Sequence, residues 1–288
     1  MHSTVYEPTS VERFLAAVTA ADGHPPLSEH KLTVVRDGTG RFGSWRDADG
    51  IWLVGSVARH DADGHWAVEA AVAERVRTPA AERDAIGRST GLVPHGGHHT
   101  LWAHRIQQIM AAEALGYRAV RAVVRLSGAI ADVVPTRARG IDVGPMADSD
   151  VQSIVSINNR AFTDHPEQGS MTEAGYRSLE RLEWFDSKRV MVARTEDGVV
   201  GFCIAKRAAE AIGEVYLVAV DPDAAGLGIG RALTTAGFAL LGEHGATVAQ
   251  VWTDEENQSA LGLYQSIGLA IDFRTRELAP TAAGGQAD

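Results

Sequence analysis

The sequence predicts an α/β chain (α+β, with a mixed sheet) built as two tandem lobes. Three observations carry that expectation. The 288 residues are enough for two ordinary domains. Each half runs in the same order, helices first, then antiparallel strands, then a β-loop-α-β-α-β run. Each half also places one loop between an apolar strand and a helix, and only the second of these loops is glycine-rich. The expected boundaries are a first lobe over 1–134, a linker over 135–145, a second lobe over 146–278 and a disordered tail over 279–288.

The first half opens with a helix over Val11–Ala21 and a turn at Asp22–Leu27. Strands follow at Leu32–Asp37, Trp52–Arg59 and Trp66–Glu74, the last two separated by the hairpin dipeptide Asp63–Gly64. A helix is expected over Pro79–Arg88, a strand over Leu101–His104, a helix over Ile106–Gly116 and a strand over Ala119–Leu126. The prolines, glycines and arginines of Pro135–Pro145 have little apolar periodicity and mark the linker.

The second half is clearer. Asp148 and Ser149 are good N-cap types before a helix reaching Phe162, and a second helix spans Thr172–Glu183. Strands Val190–Arg194 and Val199–Lys206 flank the hairpin dipeptide Asp197–Gly198. Strand Gly213–Val220, helix Gly230–Glu243, strand Val248–Thr253, helix Asn257–Ile267 and strand Ala270–Arg276 complete the lobe, with Gly245 and Gly268 closing the helices.

Hydrophobic residues make up 45% and charged residues 22%, the balance of a soluble globular chain. The net charge of −10 and the lack of a Lys/Arg run argue against nucleic-acid binding, which needs phosphates neutralised. The single cysteine, Cys203, cannot form an internal disulfide and sits in an apolar run, as a buried strand residue would. The start of the chain lacks a basic-then-apolar leader, and no stretch nears the ~18 apolar residues of a membrane span. A cytoplasmic monomer is expected. His95, His98 and His99 do not have the spacing of a ligand set, so no metal is expected.

The informative loop is Ala225–Arg231. Asp221–Pro222 stops an apolar strand, because proline lacks an N–H and restricts its predecessor. Glycines at 226, 228 and 230 then lead into an amphipathic helix. Read alone, the loop is either a plain strand-to-helix turn or an anion cradle, in which backbone N–H groups and the helix start hold a phosphate. It lacks the last glycine of a Rossmann fingerprint and the G-K-[ST] of a Walker loop.

Placed after V-D-P, this loop resembles the pyrophosphate loop of GNAT enzymes, Q/R-x-x-G-x-G/A, with Ala225-Gly226-Leu227-Gly228-Ile229-Gly230 filling it. Ala225 departs from the usual Gln or Arg, and Gly226 and Leu227 stand where arginines are common. The segment NNRAFTDHPEQG (158–169), the triplet Trp184-Phe185-Asp186, GEVYLVAVDP (213–222) and Tyr264-Gln265-Ser266 narrow the resemblance to the mycothiol synthase family of tandem GNAT lobes. At the other end Asp22-Gly23 and Glu29 resemble that family's N-terminal substrate loop. The first lobe's counterpart loop, TPAAERDAIGR (78–88), has one glycine and the acids Glu82 and Asp84, so this lobe is expected to be structural.

The resemblance implies an acetyl-CoA-dependent N-acetyltransferase acting on a small-molecule amine, the cysteinyl amine of desacetylmycothiol. It implies a general base at Glu214 and a proton donor at Tyr264; read from residues alone, these are equally a half-buried strand glutamate and a packing tyrosine. It places substrate contacts at Glu29, Glu167, Lys206, Glu214 and Trp252, the last where the family often has tyrosine. Glu29 and Lys206 would otherwise be solvated surface charges. For acetyl-CoA it implies the backbone at Val218, Ala219 and Val220, the loop Ala225, Gly226, Leu227, Gly228, Ile229, Gly230 and Arg231, and the helix start Asn257, Gln258, Ser259, Ala260, Leu261 and Gly262. Two alternatives stay open: a GNAT enzyme for another small amine or aminoglycoside, and a non-catalytic acyl-CoA-binding protein.

Overall fold

A computed structural model describes residues 8–28, 40–59, 64–163, 165 and 169–281, and divides the chain into two compact units. One takes the residues up to Ala122 together with those from Thr275 onward; the other is Val123–Arg274.

The first unit contains α1 (Pro8–Asp22), β1 (Arg41–Asp47), β2 (Gly50–Arg59), β3 (Trp66–Val72), α2 (Pro79–Thr90), β4 (His99–Ala103), α3 (Ile106–Ala114), the beginning of β5 (Tyr117–Ala129) and the end of β11 (Ala270–Pro280). β1, β2 and β3 pair antiparallel, β3 runs parallel to β4, and β11 returns antiparallel beside β4. The crossover from β3 to β4 is made by α2, as a parallel pair requires. Val57, Val68, Ile86, Leu101 and Leu278 are sealed from solvent in its core. Each such side chain contributes roughly 1.5–3 kcal/mol by leaving water.

The second unit takes the rest of β5, then β6 (Asp142–Pro145), α4 (Val151–Ala161), α5 (Glu173–Leu179), β7 (Val190–Thr195), β8 (Gly198–Arg207), β9 (Ile212–Val220), α6 (Ile229–Glu243), β10 (Val248–Asp254), α7 (Gln258–Ser266) and the start of β11. The strand order is β5-β10-β9-β8-β7-β6, antiparallel except for β9 beside β10. One face packs on α6 and α7 through Cys203, Val215, Leu233, Phe238, Leu241 and Val251. The other packs on α4 and α5 through Ile154, Tyr176, Val192, Phe202 and Leu217. Helix α6 lies close to the sheet because position 237 is glycine; a Cβ there would meet Cys203 Sγ at 3.0 Å. Cys203 is fully buried, and burial pushes its thiol up to about 12, so it is an inert strand residue as expected.

Most expected elements are present, with four differences and two expectations that the described residues do not cover. β1 has no counterpart in the sequence reading: glycine, serine and two arginines dilute its apolar alternation, and its pairing with β2 supplies the order. The expected strand at 32–37 and Asp63 of the hairpin dipeptide lie outside the described residues. The stretch 135–145 carries β6, which pairs with β7 inside the second unit. The helix expected from Asp148 begins at Val151 after a 3-10 turn; Asp150, rather than Asp148 or Ser149, accepts the Ala147 N–H at 2.6 Å, and it also pairs with Arg194. Finally, β11 runs on to Pro280 and is shared by both units, so the first unit resumes at Thr275. Leu278 is an apolar residue that the first unit's core buries completely.

Candidate active site

The site begins with a defect in β9. Opposite β8, Ile204 pairs with Leu217 and Ala205 pairs with Val215, which leaves Tyr216 as an extra residue. Such a bulge bends its strand and increases the twist. The parallel pairing of β9 with β10 covers only Ile212–Val215 against Val248–Val251. Beyond it β10 continues along β5 to Asp254, whereas β9 continues along β8 to Val220, so the two strands part at Tyr216. Asp221 N–H donates to Val200 O at 2.9 Å. Alternation along the strand then turns the N–H groups of Val218 and Val220 away from β8, into the opening.

At the end of β9, Pro222 stops the strand, and Asp221 caps the turn by accepting the Asp223 N–H at 3.0 Å. Arg160 of α4 pairs with both Asp221 and Asp223, offsetting two acids beside the loop. Gly226 and Gly228 have φ of 81° and 77°, a left-handed backbone that glycine adopts at no steric cost. Gly228 is the N-cap of α6, no side chain caps that helix, and no acid lies in its first turn. The first N–H groups of α6 therefore face outward with the helix dipole behind them, which suits an anionic group such as a pyrophosphate.

The sheet face opposite α6 and α7 carries a polar row. Lys206 pairs in register with Glu214, Glu214 with Gln250, and Gln250 with Ser127. Ser127 Oγ donates to Asp272 at 2.8 Å. Glu214, only 8% exposed, accepts a hydrogen bond from Gln250 Nε2 at 2.8 Å. The Lys206 ammonium sits over the rings of Trp184 and Tyr216, 4.9 and 5.5 Å from their centroids, and those two rings lie 4.7 Å apart. The two rings turn their electron-rich faces to the ammonium, an attractive arrangement.

One row further on, Trp252 packs edge-on against Phe273, and the Arg125 guanidinium lies over both rings. Asp272 holds Arg125 with two bonds of 2.8 and 3.0 Å. Burial raises the Asp272 carboxyl, but the bonds from Arg125 and Ser127 outweigh it and the net shift is downward. At the end of β10, His165 lies 3.2 Å from Asp254. Asn159 grips the backbone of Met171 with two bonds of 2.8 Å, so the described residues on either side of 166–168 are tied to the second unit.

Tyr264 on α7 is buried in the core shared with Cys203. Its hydroxyl has no hydrogen-bond partner among the described residues. Burial pushes the phenol well above its ordinary range, with the neighbouring Cys203 adding to the effect, so it stays protonated at neutral pH.

The structure gathers Lys206, Glu214 and Trp252 on one face of one sheet. Glu29 and Glu167 lie outside the described residues. Among the residues expected near acetyl-CoA, Ala225, Gly226, Leu227 and Gly228 are exposed in the loop. Ala219, Ile229 and Leu261 turn their side chains into the core, so only their backbone is available. Asn257 is committed to capping α7, accepting the Ala260 N–H at 3.0 Å, while Gln258, Ser259 and Gly262 are exposed. Arg231 donates to Ser266 on α7. Sequence reasoning gave no role to Trp184, Tyr216, Arg125 or Gln250. Gln250 had a signal, a polar residue between the core residues Ala249 and Val251, but nothing in the sequence named its partner.

Residues 151–269 match the acetyltransferase (GNAT) family. A protein of Kocuria rhizophila named mycothiol acetyltransferase is 34% identical over 268 residues, covering 86% of this chain and 88% of that one. Its namesake in Geodermatophilus obscurus is 35% identical, covering 93% of each chain. Among solved structures, a GCN5-related N-acetyltransferase from Sphaerobacter thermophilus shares the fold with a TM-score of 0.74 at 20% identity, covering 96% of this chain and 94% of that one. A tandem GNAT protein from the clavulanic acid biosynthesis pathway shares it with a TM-score of 0.73 at 14% identity, covering 99% of both.

Proposed function

The chain belongs to the mycothiol acetyltransferase family, and on that premise we propose that it acetylates the cysteinyl amine of desacetylmycothiol, with acetyl-CoA as the donor. The observation that carries the reading is the parting of β9 from β10 at Tyr216, with a buried carboxylate, Glu214, on one side and an uncapped glycine-rich helix start beyond it.

Acetyl-CoA supplies an acetyl group activated as a thioester. The left-handed glycines and the open N–H groups of α6 fit its pyrophosphate, and the outward N–H groups of Val218 and Val220 fit the more extended part of the molecule. Holding donor and amine in this opening removes much of the entropic cost of bringing them together. The attacking group is an α-amine with a reference pKa near ~7.7, against ~10.4 for lysine, so freeing its lone pair is easier by roughly 3–4 kcal/mol. Glu214 takes that proton, directly or through a water. Tyr264 keeps its phenol proton and delivers it to the departing sulfur. Lys206 and Trp252 border the amine side of the opening and contact the pseudo-disaccharide. Glu29 and Glu167 are proposed as further substrate contacts on the strength of the motifs that carry them. The first unit is proposed as structural.

The test is mass spectrometry of protein incubated with acetyl-CoA and desacetylmycothiol. A product carrying one added acetyl, placed on nitrogen by fragmentation, is expected; acetyl-CoA binding without product would move the reading to another amine. Glu214→Gln should lower turnover most at low pH, where the amine is protonated. Activity unchanged at every pH would remove Glu214 from its role.

A further inference from the structure

We propose that Gln250 is a positioning residue that aims and tunes the Glu214 carboxylate. The inference rests on Glu214 being the base, and it assigns a function to a residue that carries none so far.

Gln250 is 8% exposed, and its Nε2 donates to Glu214 Oε2 at 2.8 Å. An ionised carboxylate can only accept, so the amide must turn its NH2 toward it. The terminal torsion of a glutamate is broad and sets no orientation by itself. A donor fixed on one oxygen supplies that orientation.

The donor is well fixed. Position 250 lies within β10, paired with Ser127 of β5 on one side and with Glu214 itself on the other. Its neighbours Ala249 and Val251, 0% and 2% exposed, are locked in the core of the opposite face. Just beyond this pair the strands part, so Gln250 and Glu214 form the last in-register contact but one before the opening. An amide donor also favours the charged form of a carboxylate without adding a charge of its own. It does so from the β10 side, while Lys206 is paired in register with Glu214 on the β8 side.

The experiment compares wild type with Gln250→Leu, which keeps the bulk and removes the donor, and with Gln250→Glu, which sets a second carboxyl beside the first. Two quantities are read. One is the acid limb of kcat against pH, which reports groups in the loaded enzyme. The other is the titration of the Glu214 side-chain carboxyl by 13C NMR in protein labelled at glutamate, assigned as the resonance missing in Glu214→Gln. In Gln250→Leu both midpoints should rise by about one pH unit, with kcat down about tenfold on the acid limb and much less above it. They should rise further in Gln250→Glu, because two adjacent carboxyls share one proton. Unmoved midpoints in both variants would overturn the proposal, whatever the loss in kcat, because a merely structural glutamine would lower activity without shifting either curve. If wild type fails to acetylate desacetylmycothiol, the proposed function fails, and the NMR titration still decides the role of Gln250.

Discussion

The two units reach the same strand-to-helix junction and finish it in opposite ways. In the first, the pairing of β3 with β4 ends at Glu69 and Trp102, as that of β9 with β10 ends at Val215 and Val251. The first unit then fills the space with its own side chains. Gln108 of α3 donates to Ala70 O at 2.9 Å and accepts the His104 N–H at 3.0 Å. Arg77 donates to Val72 O. Thr78 caps α2 through the Ala81 N–H, and Glu82, 1% exposed, lies in that helix's first turn, paired with Arg105 at 2.8 Å. β3 meets β2 without the register shift that β9 shows against β8. The second unit has the bulge, two left-handed glycines, and neither cap nor acid at α6. The difference teaches that local residue types decide whether the N–H groups at such a junction are satisfied from within or left open.

Three substitutions and one control would break or sharpen that contrast. The largest effect is expected from Glu82→Ala, which takes the nearer carboxylate from Arg105 and leaves it the Asp22 carboxylate at 3.7 Å. Breaking a buried pair of this kind costs about 3–5 kcal/mol, read by denaturant unfolding. Acetyl-CoA affinity of the folded fraction should not change, and a matching loss of affinity would mean that the first unit takes part in binding. Next comes Gly228→Val. A side chain in the left-handed region costs about 1–2 kcal/mol, so acetyl-CoA should bind roughly tenfold more weakly by calorimetry. Gly87→Ala, inside α2 with open space around it, serves as the matched control and should leave binding alone. The smallest effect belongs to Thr78→Ala, about 1 kcal/mol of stability from a lost cap, with turnover unchanged. Should Thr78→Ala alter the Michaelis constant for acetyl-CoA, the first junction would not be closed.

Much of this contrast is legible in the sequence, because it lies in local residue types. Glycines at 226 and 228 against Thr78, Pro79 and Glu82 are enough to announce an open and a closed helix start. The elements of the second unit are legible for the same reason: its strands are apolar runs and its helices have Asn257 or Thr172 at their starts and Gly245 or Gly268 beyond their ends. Features set by register are not legible. The extra residue at Tyr216 shows only against β8, and the row from Lys206 through Glu214 and Gln250 to Ser127 is assembled by the pairing of four strands. The cage of Trp184 and Tyr216 around Lys206 is likewise a product of tertiary packing. β6 is hidden because four residues with a glycine and a proline carry no period.

Strand β11 belongs to the second unit as far as Arg274 and to the first from Thr275, where Leu278 enters the core and Arg276, Glu277 and Leu278 pair with β4. This arrangement orders events on the ribosome. The first unit is made first yet lacks a strand until residues near 280 have left the exit tunnel, so an unpaired edge of β4 stays uncovered throughout synthesis of the second. Pausing late in translation would prolong that exposure and give a chaperone its longest opportunity to bind.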